Sequence, residues 1–125
     1  MQDFRKLNIY RKAIEYCIKI YRFSAKLPSD EIYGLISQIR RAVASIPLNI
    51  SEGAGCSTDK EFSQFIGYSY RSVNEVLTCL ELIAELKLLK DRIETEDLTN
   101  EGIALSKMIY IFSKKLGTQN LQLET

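Results

Sequence analysis

Arg40 and Arg41 follow Ser37 and Gln38, and the polar row continues at helical spacing through Ser45, Asn49 and Glu52. On a helix, Arg41 reaches Gln38 one turn back and Ser45 one turn forward. A guanidinium fork among amide, hydroxyl and carboxylate groups binds phosphate or carboxylate well. It serves equally as a satisfied polar network between helices. A catalytic reading would make Glu52 the acid or base. The sequence gives it no nucleophile activated by a neighbouring base. Ser45 has an arginine beside it, and histidine is absent altogether. No catalytic residue is assigned, and neither a metal site nor a cofactor is expected.

A second constellation is basic. Arg5, Lys12, Lys19 and Lys26 fall seven residues apart, with Arg11 and Arg22 beside them and Glu15 interrupting. Such a stripe gives sequence-independent, salt-sensitive contacts to nucleic-acid phosphates. A plain solvated helix face has the same composition. A third, Gly53-Ala54-Gly55-Cys56-Ser57-Thr58, leads into a helix N-terminus, a place where anions bind. Asp59 and Glu61 already bring negative charge there, and no Gly-Lys-Ser/Thr follows, so a tight connection is the better reading.

Composition narrows the classes further. The net charge is +1, which supplies no global field toward nucleic acid or anionic membrane. Residues 1–60 carry ten Lys/Arg against six Asp/Glu, and residues 61–125 carry seven against ten. The first half is mildly basic and the second mildly acidic. Cys17, Cys56 and Cys79 form no close pair, which fits a reducing compartment and argues against a zinc site. Neither a signal peptide nor an apolar run of membrane-spanning length occurs, so a cytoplasmic location is expected.

The elements that must hold these residues read as four helices. The first spans residues 4–26 and stops before Pro28. The second starts at Ser29 or Asp30 and ends near Glu52, with Gly53 and Gly55 closing it and Pro47 kinking it. Thr58 and Glu61 form a capping box for the third, which runs to about Leu88. Asp91 and Glu94 open the fourth, which stops at Leu116 before Gly117. No segment alternates with strand period. The expectation is all-α: an antiparallel up-down-up-down four-helix bundle over residues 1–117, followed by a frayed tail at 118–125.

Two helices carry more apolar surface than one bundle uses. In helix 1, Leu7, Tyr10, Ile14, Cys17, Ile18 and Tyr21 form one stripe, assigned to the core. Ile9, Tyr16, Ile20 and Phe23 form a second beside it. In helix 3, Tyr68, Cys79, Leu82 and Leu86 make a patch outside the core stripe. Contiguous apolar patches on a surface are usually interaction sites, so a homo-oligomer is expected.

Tyr33-Gly34-Leu35, Ser37-Gln38-Ile39-Arg40-Arg41-Ala42, Ser45-Ile46-Pro47, Asn49-Ile50 and Glu52-Gly53 carry a resemblance, flanked by Phe4, Leu7 and Ala13 before and Lys60-Glu61-Phe62 after. With these blocks, over roughly residues 3–116, the chain resembles the bacterial four-helix bundle family of intervening-sequence proteins. Some members of that family are encoded inside insertions in large-subunit ribosomal RNA genes. The accessory protein of diversity-generating retroelements is similar to the same group. The resemblance implies a bundle assembled as a ring, a pentamer, that binds structured RNA or a nucleic-acid-handling partner. It implies that Gln38, Arg41, Ser45, Pro47, Asn49 and Glu52 maintain the fold or the ring. The chain departs from the pattern at Tyr10, where many relatives have Trp, and at Cys56, where relatives often have a basic residue. It also lacks the strongly basic charge of the retroelement accessory. Two functional expectations follow: RNA binding through the replicated helix 1 stripe, or an oligomeric adaptor that docks a protein without touching nucleic acid.

Overall fold

The computed structural model describes the backbone of residues 3–124 and the side chains of residues 3–117. Four long helices account for nearly all of it: α1 (Asn8–Ser24), α2 (Ser37–Ala54), α3 (Asp59–Glu85) and α4 (Ile93–Glu124). No strand occurs among the described residues. The contacts between helices give their directions. Lys19 meets Glu101 and Lys26 meets Glu94, so α1 and α4 run antiparallel. Ser45 meets Ser72 and Ile46 meets Ser69, so α2 and α3 do too. Phe62 packs on Phe112 and Tyr70 on Tyr110, which makes α3 and α4 antiparallel. The bundle is therefore up-down-up-down.

The ends of the helices follow local chemistry. Thr58 Oγ1 accepts from the Glu61 backbone N–H and donates to the Glu61 carboxylate, both at 3.1 Å, so Thr58 caps α3 as expected, while the carboxylate bonds the hydroxyl in place of the Thr58 backbone N–H. Asp91 Oδ1 accepts from the Ile93 N–H at 2.9 Å and opens α4. At the C-terminus of α3, Lys87 adopts φ 54°, and the Leu88 N–H reaches back to the Ile83 carbonyl at 3.2 Å. That is a Schellman closure made with lysine where glycine is usual.

Four boundaries differ from the sequence reading. The first helix is split: Asp3 caps a separate 3-10 turn (Phe4–Lys6), and Leu7 is extended before α1 begins. The second begins with a 3-10 turn (Ser29–Glu31) and a short helical segment (Ile32–Ile36) that is non-helical at Gly34, with φ −107° and ψ −111°. The α2 helix then runs unbroken through Pro47. Gly53 lies inside α2 and does not end it; Gly55 caps it in the right-handed region. Finally, α4 passes through Gly117 to Glu124, since one helical glycine costs only about 1 kcal/mol. The side chains of 118–125, where a frayed tail was expected, lie outside the described residues.

One core joins all four helices. Ile39, Val43, Ile46 and Ile50 of α2 face Ile66, Val73, Val76 and Leu80 of α3, and α4 adds Leu98, Leu105 and Ile109. The α1 helix contributes Ile9, Ala13, Tyr16, Ile20 and Phe23. These include all four residues of the stripe that was expected on the outside. The correction is a swap of faces, because both stripes of α1 obey the helical period. The helix turns the Ile9 stripe inward, where Tyr16 finds a buried partner and Lys19 and Lys26 reach the acids of α4. Ile14, Ile18 and Tyr21 are left on the surface.

Candidate functional site

The α1 basic arc is largely matched by carboxylates. Lys19 Nζ lies 2.7 Å from Glu101, Lys26 Nζ 2.9 Å from Glu94, and Lys12 Nζ 3.7 Å from Glu15. The bond to Glu101 holds the Lys19 ammonium above its ordinary range. Arg5 pairs with Asp3 at 3.2 Å and sits on the separate 3-10 turn, out of line with α1. Arg11 and Arg22 are exposed and enter no ion pair among the described residues. Of the six expected phosphate contacts, these two are the cations outside any ion pair, although Arg22 shares a shallow cleft with Glu94, Asp97 and Glu101.

The polar row of α2 divides into three parts. Gln38 donates to Glu75 of α3, and Arg41 Nη2 donates to Gln38 Oε1 at 3.4 Å, making an exposed chain at the edge of the seam. Ser45 Oγ lies 2.6 Å from Ser72 Oγ and 2.7 Å from the Ala42 carbonyl, while Ser72 also bonds the Tyr68 carbonyl. Asn49 Nδ2 donates to the Ser45 carbonyl at 2.8 Å, and Pro47 is buried. Glu52 stands exposed at the far end. It lies eleven positions after Arg41, about 16 Å along a helix, so the two do not share one small site. Gln38 and Ser45 tie this row to α3 while Arg41 and Asn49 bond within α2, and every buried side-chain polar atom among the described residues is paired.

Two glycines do what the sequence signalled only in part. A Cβ on Gly53 would come within 2.8 Å of Phe62 Cδ1 and Phe65 Cβ, so Gly53 lets α2 and α3 touch. A Cβ on Gly102 would stand 2.5 Å from Tyr16 Oη. Tyr16 uses that gap to donate to the Leu98 carbonyl at 2.9 Å. Burial, with the Glu101 charge, pushes its phenol far above the usual tyrosine range, so it stays protonated. Gly102 escaped the sequence reading, which placed Tyr16 on the outer stripe of helix 1; a glycine inside a helical pattern was the available signal.

The thiols are quiet. Burial raises Cys17 and Cys79, and Cys56 is raised by partial desolvation together with Glu61 and Glu52. Thiolate, the reactive form, is thereby disfavoured at all three.

What remains is uncovered apolar surface. Ile18 and Tyr21 are 46% and 42% exposed on α1, and Tyr68, Leu82 and Leu86 are 45%, 45% and 57% exposed on α3. Tyr110 and Ile111 of α4 add 51% and 54%. The expected patch on α3 is therefore present apart from Cys79, which is buried. No described helix is long and apolar enough to cross a membrane.

The fold and these surfaces define a small all-α bundle with a hydrogen-bonded polar row on α2 and apolar residues exposed on α1, α3 and α4. The chain belongs to the 23S rRNA-intervening sequence protein family, whose model matches residues 5–111. A crystal structure described as a protein of unknown function from the S23 ribosomal protein family of Bacteroides thetaiotaomicron has the same fold. Its TM-score is 0.78 at 21% identity, over 85% of this chain and 98% of that one. No curated protein is significantly similar to this chain.

Proposed function

We propose that the protein is a non-enzymatic, cytoplasmic four-helix bundle that assembles with copies of itself into a docking scaffold for a protein partner. The observation that supports this is the pair of apolar rows, Ile14, Ile18 and Tyr21 on α1 and Tyr68, Leu82 and Leu86 on α3, standing outside the buried core. Scattered apolar residues on a surface need no explanation, but rows at helical spacing do. Sister subunits cover these rows in this reading. The ring of five comes from the family resemblance alone. Native mass in solution is the test: an assembly supports the reading, and a monomer at high concentration removes it.

Structured RNA is the second reading, favoured by Arg11 and Arg22, which stay open on α1 and would be repeated around a ring. Four of the six cations proposed for RNA already hold carboxylates, which is why the scaffold reading comes first. Titrating the protein into a structured RNA at rising salt decides between them. Affinity that falls steeply with salt, and falls again in Arg11→Glu with Arg22→Glu, supports RNA. Absent or salt-independent binding leaves the protein scaffold.

A further inference from the structure

Tyr70 of α3 and Tyr110 of α4 meet at the outer edge of their seam, with ring centroids 6.2 Å apart and the rings tilted by 50°. A shallow cleft of about 390 Å³ opens beside them, lined by Tyr70, Ser106, Lys107, Tyr110 and Ile111. All of these but Ser106 are exposed. Neither ring belongs to the core, and neither belongs to the rows assigned above to sister subunits. Those rows flank α2. Arg40 of α2 lies 5.1 Å over the Tyr21 ring, and Tyr68 is tied to α2 through Ser72 and Ser45. The Tyr70–Tyr110 cleft straddles the α3–α4 seam instead, so copies joined through the rows beside α2 leave it open.

The charge around this cleft has one sign. Residues 62–74 of α3 and 102–117 of α4 hold Arg71, Lys107, Lys114 and Lys115 and neither Asp nor Glu. Lys107 lines the cleft and enters no ion pair among the described residues. Lys114 Nζ lies 5.1 Å from the centre of the Tyr110 ring. Other basic surfaces of the molecule are mixed. The α1 arc meets carboxylates, and the larger cleft farther along the α3–α4 seam sets Glu81, Asp91 and Glu96 beside Lys87 and Arg92. Here the cations border aromatic and aliphatic surface, with no acid in the lining.

The state of the rings separates two classes of partner. Stacking of nucleic-acid bases needs a free ring face. Tyr110 already has Lys114 over its ring and Tyr70 against it. What remains on offer is apolar surface for a side chain, at Ile111 and the uncovered parts of the rings, beside the donors of two tyrosine hydroxyls and the Lys107 ammonium. A carboxylate accepts from such donors in short, charge-assisted bonds. We propose that the protein partner docks in this cleft through an acidic segment, with an aromatic or aliphatic side chain beside Tyr70, Tyr110 and Ile111 and a neighbouring Asp or Glu on Lys107. The proposal rests on the protein-docking reading above and names that partner's chemistry. Charge sets which segment is accepted, because a basic one would meet Lys107 and Lys114 with like charge.

The test selects short displayed peptides of random sequence on the immobilised full chain, discarding those that also bind Lys107→Glu with Tyr110→Ala. The survivors are expected to carry Asp or Glu beside Phe, Tyr, Leu or Ile. The best of them, made synthetically, should bind the wild-type chain with an affinity that falls as salt rises. It should bind Lys107→Glu and Tyr110→Ala at least tenfold more weakly, roughly what losing one central contact does. Exchanging the peptide's acid for Lys should restore its binding to Lys107→Glu. Unchanged helical circular dichroism establishes that each variant is folded. Survivors that are neutral or basic, or a selection that yields none, overturn the cleft while leaving self-assembly standing. A wild-type monomer that still binds the acidic peptide removes self-assembly and supports the cleft. Loss of the wild-type oligomer in Lys107→Glu would make the cleft a contact between copies and overturn the proposal. So would a single-stranded RNA of mixed sequence that binds the wild-type chain, displaces the peptide and fails on Lys107→Glu.

Discussion

The α2–α3 seam and the α1–α4 seam solve the same packing problem differently. Between α2 and α3 the approach is distributed: Gly53 lets the backbones meet, and Ser45, Ser69 and Ser72 exchange hydroxyl bonds across the interface. Between α1 and α4 it is concentrated in one large side chain passing over one glycine, Tyr16 over Gly102. The edge of that seam is held by exposed Lys–Glu pairs. A seam built from many small residues is fixed by shape. A seam built around one phenol depends on a single hydrogen bond and a single gap.

This difference orders the expected effects of mutation. Gly53→Ala has the largest. Its new methyl meets Phe65 Cβ and the Phe62 backbone, atoms that cannot swing away, at 2.8 and 3.2 Å. Overpacking outweighs the gain of about 1 kcal/mol in helix propensity, and urea melts should lose about 2 kcal/mol. Gly102→Ala loses somewhat less, about 1–2 kcal/mol. Its loss should shrink by about half in a Tyr16→Phe background, because the nearest obstacle is the hydroxyl itself. Additive losses in that double mutant would show that the gap does not serve the phenol.

Alkaline titration probes the same phenol. Tyr16 ionises in the unfolded chain near pH 10. In the fold it resists ionisation, so the folded state holds the extra proton. The stability this provides is complete below about pH 10 and is lost as pH rises beyond it, by up to about 1.4 kcal/mol per unit. Tyr16→Phe should remove one proton's worth of that slope in stability measured between pH 9.5 and 11. Ser45→Ala comes next, at about 1 kcal/mol, since Ser72 keeps its bond to the Tyr68 carbonyl. Lys19→Met is the smallest. A pair exposed at both ends is worth at most about 0.5 kcal/mol, and less in high salt.

The distributed seam was the more legible of the two. Small and polar residues repeating from Ser37 to Glu52 announced a close helix contact, though Gly53 was read as a helix end, and the capping signals at Thr58 and Asp91 marked the starts of α3 and α4. The concentrated seam was hidden, because a tyrosine and a glycine 86 positions apart share no local signal. The face of α1 was hidden for another reason. Its two apolar stripes flank the same polar arc, so periodicity fits either of them inward. Partners on α4 made the choice: a carbonyl at Leu98 for Tyr16 and carboxylates at Glu94 and Glu101 for the lysines. Those same carboxylates occupy the basic stripe, which read in one dimension resembled an open phosphate ladder.

The surplus of apolar surface survives this exchange of faces, with Ile14, Ile18 and Tyr21 in place of Ile9, Ile20 and Phe23. Its covering by sister subunits is the central claim, and native mass of the wild-type chain tests it most directly. The account predicts a discrete species several times the 14.3 kDa chain mass, which Ile18→Glu splits into folded monomers. A single 14.3 kDa species persisting at high micromolar concentration would contradict it.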